Sequence, residues 1–215
     1  MKFVMSYSCG KDSTLALHKM IEKGHEPVAL LVMVNMNAGR SYFHGADRKL
    51  LDEFSSALEI PMILCPAKGD EYHIRFEEGL LKAKKMGAEA VCFGDIDIEG
   101  NRKWGCQRCM NTGLSWEFPL WHMKRDDVVR QIEEAGYNCI IKAVNNKILP
   151  RKMLGRCIDS EIAEVINSLG ADPCGENGEY HTIAVRGPVF KRPLRYKTGR
   201  ILDFGDYSVI DINVF

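Results

Sequence analysis

The run Lys2-Phe3-Val4-Met5-Ser6-Tyr7-Ser8-Cys9-Gly10-Lys11-Asp12-Ser13-Thr14-Leu15-Ala16-Leu17 decides the fold. Residues 3–5 are apolar without alternation, as in a strand buried on both faces of a parallel sheet. A small polar loop comes next. Leu15, Leu17, Met20 and Ile21 then form a helical apolar stripe that stops at Gly24, a residue suited to a left-handed C-terminal cap. Working outward, apolar runs recur at 28–34, 62–64, 90–93 and 139–144. Between them lie the helical stripes Leu50, Leu51, Phe54, Ala57, Leu58 and Ile74, Leu80, Leu81, Ala83, the second ending at Met86-Gly87. Strands that alternate with amphipathic helices predict an α/β fold with a doubly wound, mainly parallel, five-stranded Rossmann-like sheet and right-handed crossovers.

Near residue 144 the rhythm changes. Pro150 opens a polar loop, a helix is expected over 159–169, and Pro173, Pro188 and Pro193 punctuate the stretch beyond that helix. The end, Ile210-Asp211-Ile212-Asn213-Val214, alternates with period two, as a half-exposed antiparallel strand does. The expected division is a sheet domain over 1–145 and a smaller appended α+β domain over 146–215. With 215 residues, 46% of them hydrophobic, the chain can bury a real core, and its composition excludes disorder. No apolar run approaches the ~20 residues that span a bilayer, and the first residues lack a signal-peptide core, so a cytoplasmic protein without a membrane partner is expected. Twenty-nine basic residues balance 29 acidic ones, which argues against a partner as highly charged as nucleic acid. Eight cysteines without a secretory signal read as buried thiols, with one pair of interest, instead of a disulfide framework.

The segment Ser8-Cys9-Gly10-Lys11-Asp12-Ser13 lies where the first strand turns into the first helix. That turn of an open parallel sheet commonly holds phosphate. Small residues let backbone N–H groups approach an anion, Ser8 and Ser13 add hydroxyls, Lys11 adds charge, and the helix N-terminus points at the site. The plainer alternative is a turn with Asp12 and Ser13 as helix caps. The segment is neither a Walker loop, since Asp12 follows Gly10-Lys11, nor a G-x-G-x-x-G.

It resembles the S-G-G-K-D-S pyrophosphate loop of the N-type ATP pyrophosphatases, with Cys9 in place of the first Gly. Gly94-Asp95-Ile96, Pro119-Leu120-Trp121, Leu154-Gly155-Arg156, Pro188-Val189-Phe190 and Gly175-Glu176-Asn177-Gly178-Glu179-Tyr180-His181-Thr182 extend the likeness over nearly the whole chain. Together they are similar to the diphthine–ammonia ligase family of ATP-binding proteins. The family's last motif usually reads G-E-G-G-E-Y-E-T, so Asn177 and His181 depart from it. A His-Thr ending is the more familiar form in a relative subgroup linked with cobalamin-related chemistry. The resemblance implies that ATP is split between the α and β phosphates, with AMP passed to an acceptor. It implies ATP contacts at Ser8, Cys9, Gly10, Lys11, Asp12, Ser13 and Gly94. It also implies an arginine-bearing loop over the nucleotide near Arg102 and Trp104.

The residues themselves support a site. Asp95 ends a buried strand at the same rim, where a carboxylate holds Mg²⁺ across phosphates or simply forms a turn. Glu176 and Glu179 flank a glycine-containing turn and suit a Mg²⁺ or a cationic group, while His181 suits proton transfer; a polar turn with solvated acids is the alternative. His44 follows the second strand, near the nucleotide or capping the next helix. Met33 and Met36 either line an adenine pocket or pack. His18, His25 and His73 read as surface residues. Cys106-Gln107-Arg108-Cys109 suits a sulfur relay, half a zinc site, or incidental packing; Cys92, Cys139, Cys157 and Cys174 are isolated. Lys191, Arg192, Arg195, Lys197 and Arg200 form a basic cluster that suits an anionic macromolecule such as RNA or, as the favoured reading, a solvated face balanced by acids elsewhere.

The expected activity is an ATP- and Mg²⁺-dependent ligase that adenylates an acceptor carboxylate and amidates it with ammonia. Lys11, Asp95, Glu176, Glu179 and His181 are its candidate catalytic residues. The same chemistry on a cobalamin-related metabolite, tRNA thiolation through Cys106 and Cys109, and a non-catalytic nucleotide sensor are the alternatives. A homodimer is left open.

Overall fold

The computed structural model describes residues 1–42 and 44–215. The first sheet is built from β1 (Lys2–Ser6), β2 (Glu26–Asn35), β3 (Arg40–Ser41), β4 (Met62–Ala67), β5 (Ala90–Cys92) and β6 (Ser115–Glu117). Its parallel strands lie in the order β4-β2-β1-β5-β6, and β3 pairs antiparallel with the end of β2. In chain order this is the 3-2-1-4-5 arrangement of doubly wound folds, whose direction reverses between β1 and β5; a crevice opens there at the strands' carboxyl ends.

The helices are α1 (Lys11–Glu22), α2 (Arg48–Leu58), α3 (Tyr72–Lys85), α4 (Glu99–Thr112), α5 (Arg125–Glu134) and α6 (Ser160–Ser168). Alternation along the strands sorts the core. Phe3, Met5, Leu30, Val32, Ala90 and Cys92 pack with α1, α2 and α5, while Val4, Ala29, Leu31, Met33, Val91 and Phe93 pack with α3 and α4. Gly24 closes α1 at φ +78°, as its sequence position predicts. Asp47 caps α2 by accepting the Leu50 N–H at 2.9 Å, so that role does not fall to His44. In α3 the buried face is Phe76, Gly79, Leu80 and Ala83, whereas Ile74 and Leu81 are exposed. Those two lie seven residues apart on the opposite side of the helix, so the expected stripe mixed both faces.

The second sheet is antiparallel, in the order β8-β7-β10-β9, from β7 (Asn138–Asn145), β8 (Tyr180–Arg186), β9 (Tyr196–Phe204) and β10 (Tyr207–Val214). The run 139–144, expected as the fifth parallel strand, is the interior strand β7 of this sheet, and the fifth parallel strand is the three-residue β6. Every residue of β7 from Cys139 to Val144 is buried, so an interior antiparallel strand covered on both sides reads like a parallel one. The change of sheet therefore falls between Glu117 and Asn138. In β10, burial alternates through Tyr207–Ile212 as the period-two pattern predicts.

The second sheet is fastened directly to the loop between β1 and α1. The Ala184 N–H of β8 donates to the Cys9 carbonyl at 2.9 Å, and the Lys11 N–H donates to Thr182 Oγ1 at 3.0 Å. The crevice at the end of the parallel sheet is thus walled by strand β8. Among the described residues no helix is long and apolar enough to cross a membrane.

Candidate functional site

The loop after β1 keeps its shape through its own side chains. Ser8 and Ser13 hydroxyls lie 3.0 Å apart, the Gly10 N–H donates to Ser8 Oγ, and Ser13 Oγ donates to the Gly10 carbonyl. Gly10 is the N-cap of α1, in extended conformation and without a side-chain cap, so Asp12 and Ser13 are not the capping residues of the plainer alternative. Cys9 stands at φ +70°, in the left-handed region that glycine occupies freely and other residues occupy at a cost of roughly 1–3 kcal/mol. The carbonyl bond to Ala184 and complete burial hold it there. Two glycines serve close approach. A Cβ on Gly10 would lie 2.5 Å from His44 Cε1, and one on Gly94 would lie 2.8 Å from the Ser13 backbone nitrogen.

Two cavities meet at this loop. The first, of about 240 Å³, is lined on one side by Ser8, Asp12, Ser13, Gly94, Asp95 and Glu176, and on the other by Leu31, Met33, Tyr42 and Tyr72. The second, of about 470 Å³, is lined by Lys11, Asp12, His44, Asn101, the 174–178 loop, Tyr180, His181 and Tyr207. Asp12 and Glu176 belong to both. Lys11 therefore faces the second cavity. Its ammonium lies 2.7 Å from Asp12 Oδ1 and 5.6 Å from the centre of the Tyr180 ring. Burial is the largest single influence and opposes that charge, but Asp12, with Cys174, Tyr180 and Glu176 adding to it, carries the Lys11 pKa well above its ordinary value.

Carboxylates crowd the junction. Burial, reinforced by Asp12, raises the Glu176 carboxyl to about 8 against the pull of Lys11 and Arg125. Burial also raises Asp95; the Asn101 side chain opposes this, and Asp12 adds to the rise. Ligating atoms of Asp12, Cys174 and Glu176 all lie within 4.8 Å of one another. Hard carboxylate oxygens held this close are relieved by a hard divalent cation, so Asp12, Glu176 and the neighbouring Asp95 fit Mg²⁺; the Cys174 thiol does not suit that ion.

The loop that presents Glu176 is braced from outside the cavities. Asp172 accepts the N–H groups of Cys174 and Glu176, both at 2.9 Å, and pairs with Arg125, which also bonds Asp97. Glu179 accepts the N–H groups of Asp172 and Asn177 at 3.1 and 3.0 Å and the Asn177 side-chain amide at 3.3 Å. It is 4% exposed and lines neither cavity, so it shapes the turn and presents its carboxylate to neither of them.

The other expected residues divide. His44 and His181 come together with ring centres 5.1 Å apart. His44 Nδ1 lies 2.7 Å from the Thr182 carbonyl, and burial with His181 beside it lowers its pKa to about 3. Burial and then Lys11 lower that of His181. Both rings are therefore neutral near pH 7. Met33 lines the first cavity, whereas Met36 is exposed on the surface. Arg102 lines neither cavity. It sits on helix α4, ion-pairs with Glu99, and lies over the Trp121 ring at 5.3 Å. The resemblance implied a loop there, and the chain forms a helix.

Cys106 and Cys109 share that helix. Cys109 is fully buried with a thiol raised by burial to about 12, opposite to the activation a sulfur carrier needs. All eight cysteines are free. Arg192 of the basic cluster is paired with Glu53, whose carboxylate also accepts the Arg195 N–H. His18 is not a surface residue: its ring lies 2.7 Å from the Tyr137 hydroxyl and 2.9 Å from Glu22. Sequence reasoning missed Tyr42, Tyr72, Asp172 and Arg125, which carry no motif of their own; the aromatic pair Tyr42–Tyr72 stands edge to face at 5.0 Å.

Two family profiles match the chain: the diphthamide synthase N-terminal domain over residues 1–116 and the diphthamide synthase C-terminal domain over residues 124–214. The diphthine–ammonia ligase of Homo sapiens is 25% identical over 219 residues, covering 90% of this chain and 82% of that protein. The Danio rerio protein of the same name is 24% identical, covering 90% and 86%. That of Schizosaccharomyces pombe is 24% identical over the whole of this chain, but over only 39% of its own length. A solved structure described as a predicted subunit of tRNA methyltransferase from Methanocaldococcus jannaschii aligns with TM-score 0.46 at 13% identity, covering 90% of this chain and all of that one.

Proposed function

The chain belongs to the diphthamide synthase family, and from that premise we propose that it is an ATP-dependent ligase that converts an acceptor carboxylate to an amide. The observation that carries the reading is the meeting of two cavities at Asp12 and Glu176, one bounded by the loop after β1 and the other open to an acceptor. In this reading the nucleotide lies in the first cavity, its base against Leu31, Met33, Tyr42 and Tyr72. Its phosphates lie at Ser8, Ser13 and the N-terminus of α1, where partial positive charge favours anions. Gly94 keeps the end of β5 clear of that helix turn. Asp12, Asp95 and Glu176 would hold Mg²⁺, which when bound neutralises phosphate charge.

The acceptor enters through the second cavity. Its carboxylate oxygen attacks the α-phosphorus; that O–P bond forms as the bond from the α-phosphorus to the bridging oxygen breaks, and pyrophosphate leaves with the electron pair. Lys11, beside the junction, stabilises the negative charge that develops. Ammonia then attacks the acyl carbon, AMP departs, and the nitrogen loses a proton. In this reading His181 takes it, supported by its neutral ring near pH 7 and its position in the lining of the second cavity. Glu179 and Asp172 position the loop.

The test is product analysis with ATP, Mg²⁺, ammonium and a panel of carboxylic acids. AMP and pyrophosphate in equal amounts, dependent on an acceptor, are expected. Formation of ADP and phosphate, or tight ATP binding with no turnover under any acceptor, overturns the reading, and the second of these leaves a nucleotide sensor.

A further inference from the structure

The centre of the second sheet holds a lysine where a core residue belongs. Lys142, on β7, is 1% exposed, and among the described residues its Nζ has no hydrogen-bond partner. A buried ammonium without a partner is costly, and such a group ordinarily pairs or gives up its proton. Lys142 also lines a pocket of about 510 Å³ whose other walls include Ala143, Leu202, Phe204, Tyr207 and Val209. The charged groups around its amine come from several elements, Arg40 on β3, Asp47 before α2 and Asp211 on β10, and the neutral ring of His44 also faces it. Arg40 and Asp211 neutralise each other at 3.4 Å, and Arg40 also donates to the Gly45 carbonyl. Asp47 accepts the Leu50 N–H as the cap of α2. Asp47 is not among the residues that line the pocket, and among those that do, the charge left over is that of Lys142.

The pocket is not isolated. It shares Ser41 and Tyr42 with the first cavity and His181 and Tyr207 with the second. A molecule seated against Lys142 therefore reaches the rim of the proposed acceptor site.

We propose that this pocket is an anion-anchoring subsite that binds a small organic carboxylate with an apolar body, the carboxylate on Lys142 and the body against Leu202, Phe204, Tyr207 and Val209. One negative charge matches the single uncompensated positive one, and the predominantly apolar wall selects against phosphate or sulfate. The further step, that this ligand is the acceptor and carries a second carboxylate for activation, rests on the ligase reading; the binding itself does not. Burial, with Arg40 nearby, lowers the Lys142 pKa to about 8, so a bound anion should hold the proton on the amine and weaken as pH rises above that value.

Titration calorimetry without ATP tests the subsite, with 3-phenylpropionate as probe and 3-phenylpropanamide as its uncharged counterpart. At pH 7 the carboxylate should bind at least tenfold more tightly than the amide. Lys142→Met should abolish that preference, and between pH 8 and 9 binding should take up a proton. The pH dependence of stability gives a second readout. Because the folded pKa lies below the ordinary 10.5, the unfolded chain binds the extra proton between those values. Wild-type stability should therefore rise relative to Lys142→Met from about pH 8 to 10.5 and be flat below. If Lys142→Met does not fold, Phe204→Glu, at an exposed pocket wall, carries the test by weakening the carboxylate at least tenfold. Equal affinity for carboxylate and amide, or undiminished binding by a folded Lys142→Met or by Phe204→Glu, overturns the subsite. Selective binding of the carboxylate together with failure to form AMP from any acid would keep the subsite and remove the ligase reading.

Discussion

Cys9 shows how one residue links backbone strain to a site. It takes a conformation natural to glycine, and it is held there because β8 bonds its carbonyl and the core encloses its side chain. Gly94 has the opposite problem, since no larger residue fits. The atoms a new Cβ would meet, Ser13 N at 2.8 Å and Asp12 C at 3.0 Å, are backbone and cannot rotate away. Gly94→Ala should therefore push α1 from β5, lowering stability by about 1–3 kcal/mol. ATP affinity should fall tenfold or more, read by thermal melting and by titration with ATP. An unchanged affinity would show that the phosphates do not depend on this approach. Single residues were only partly legible in sequence. Ser8, Asp12, Ser13 and Asp95, singled out by their place after the strands, all line the first cavity. Glu176 and Glu179 looked equivalent, but one turns into the cavity and the other into its own turn. Only hydrogen bonds made after folding distinguish them.

Among the elements, the short strand β6 and the interior strand β7 mark the limit of pattern reading. Ser115-Trp116-Glu117 offers no apolar run, because it is an edge strand of three residues. β7 offers a full one, because both its faces are covered. Lys142 was the one signal inside that run: a charge in the middle of Ile140-Ile141-Lys142-Ala143-Val144 asks what it faces. Helix α4 likewise redirects Arg102 and Cys109 away from the cavities, one toward Trp121 and the other into the core. The loop 172–178 depends on another element, since Arg125 at the start of α5 pairs with Asp172, which holds the Cys174 and Glu176 N–H groups. Arg125→Ala should cost about 1–3 kcal/mol. It should also raise KM for the acceptor more than it lowers kcat, with partial rescue in Arg125→Lys; a purely structural role would lower stability and leave KM unchanged.

At the scale of the molecule, the doubly wound sheet supplies a crevice at its switch point, and the antiparallel sheet closes that crevice with β8 and the loop before it. Strand alternation and helix periodicity made the first part legible, because each is a local pattern. The joining of the two sheets through Cys9, Lys11, Thr182 and Ala184 was not, because it pairs residues more than 170 positions apart. That junction is where the ligase account places the reaction, with the acceptor's carboxylate oxygen attached to the α-phosphorus before ammonia arrives. An acceptor labelled with ¹⁸O in its carboxylate tests this most directly. The account predicts that one labelled oxygen appears in the phosphate of AMP for each amide formed, as mass spectrometry of the nucleotide would show. Amide formed with unlabelled AMP, or with label in ADP or pyrophosphate, would contradict it.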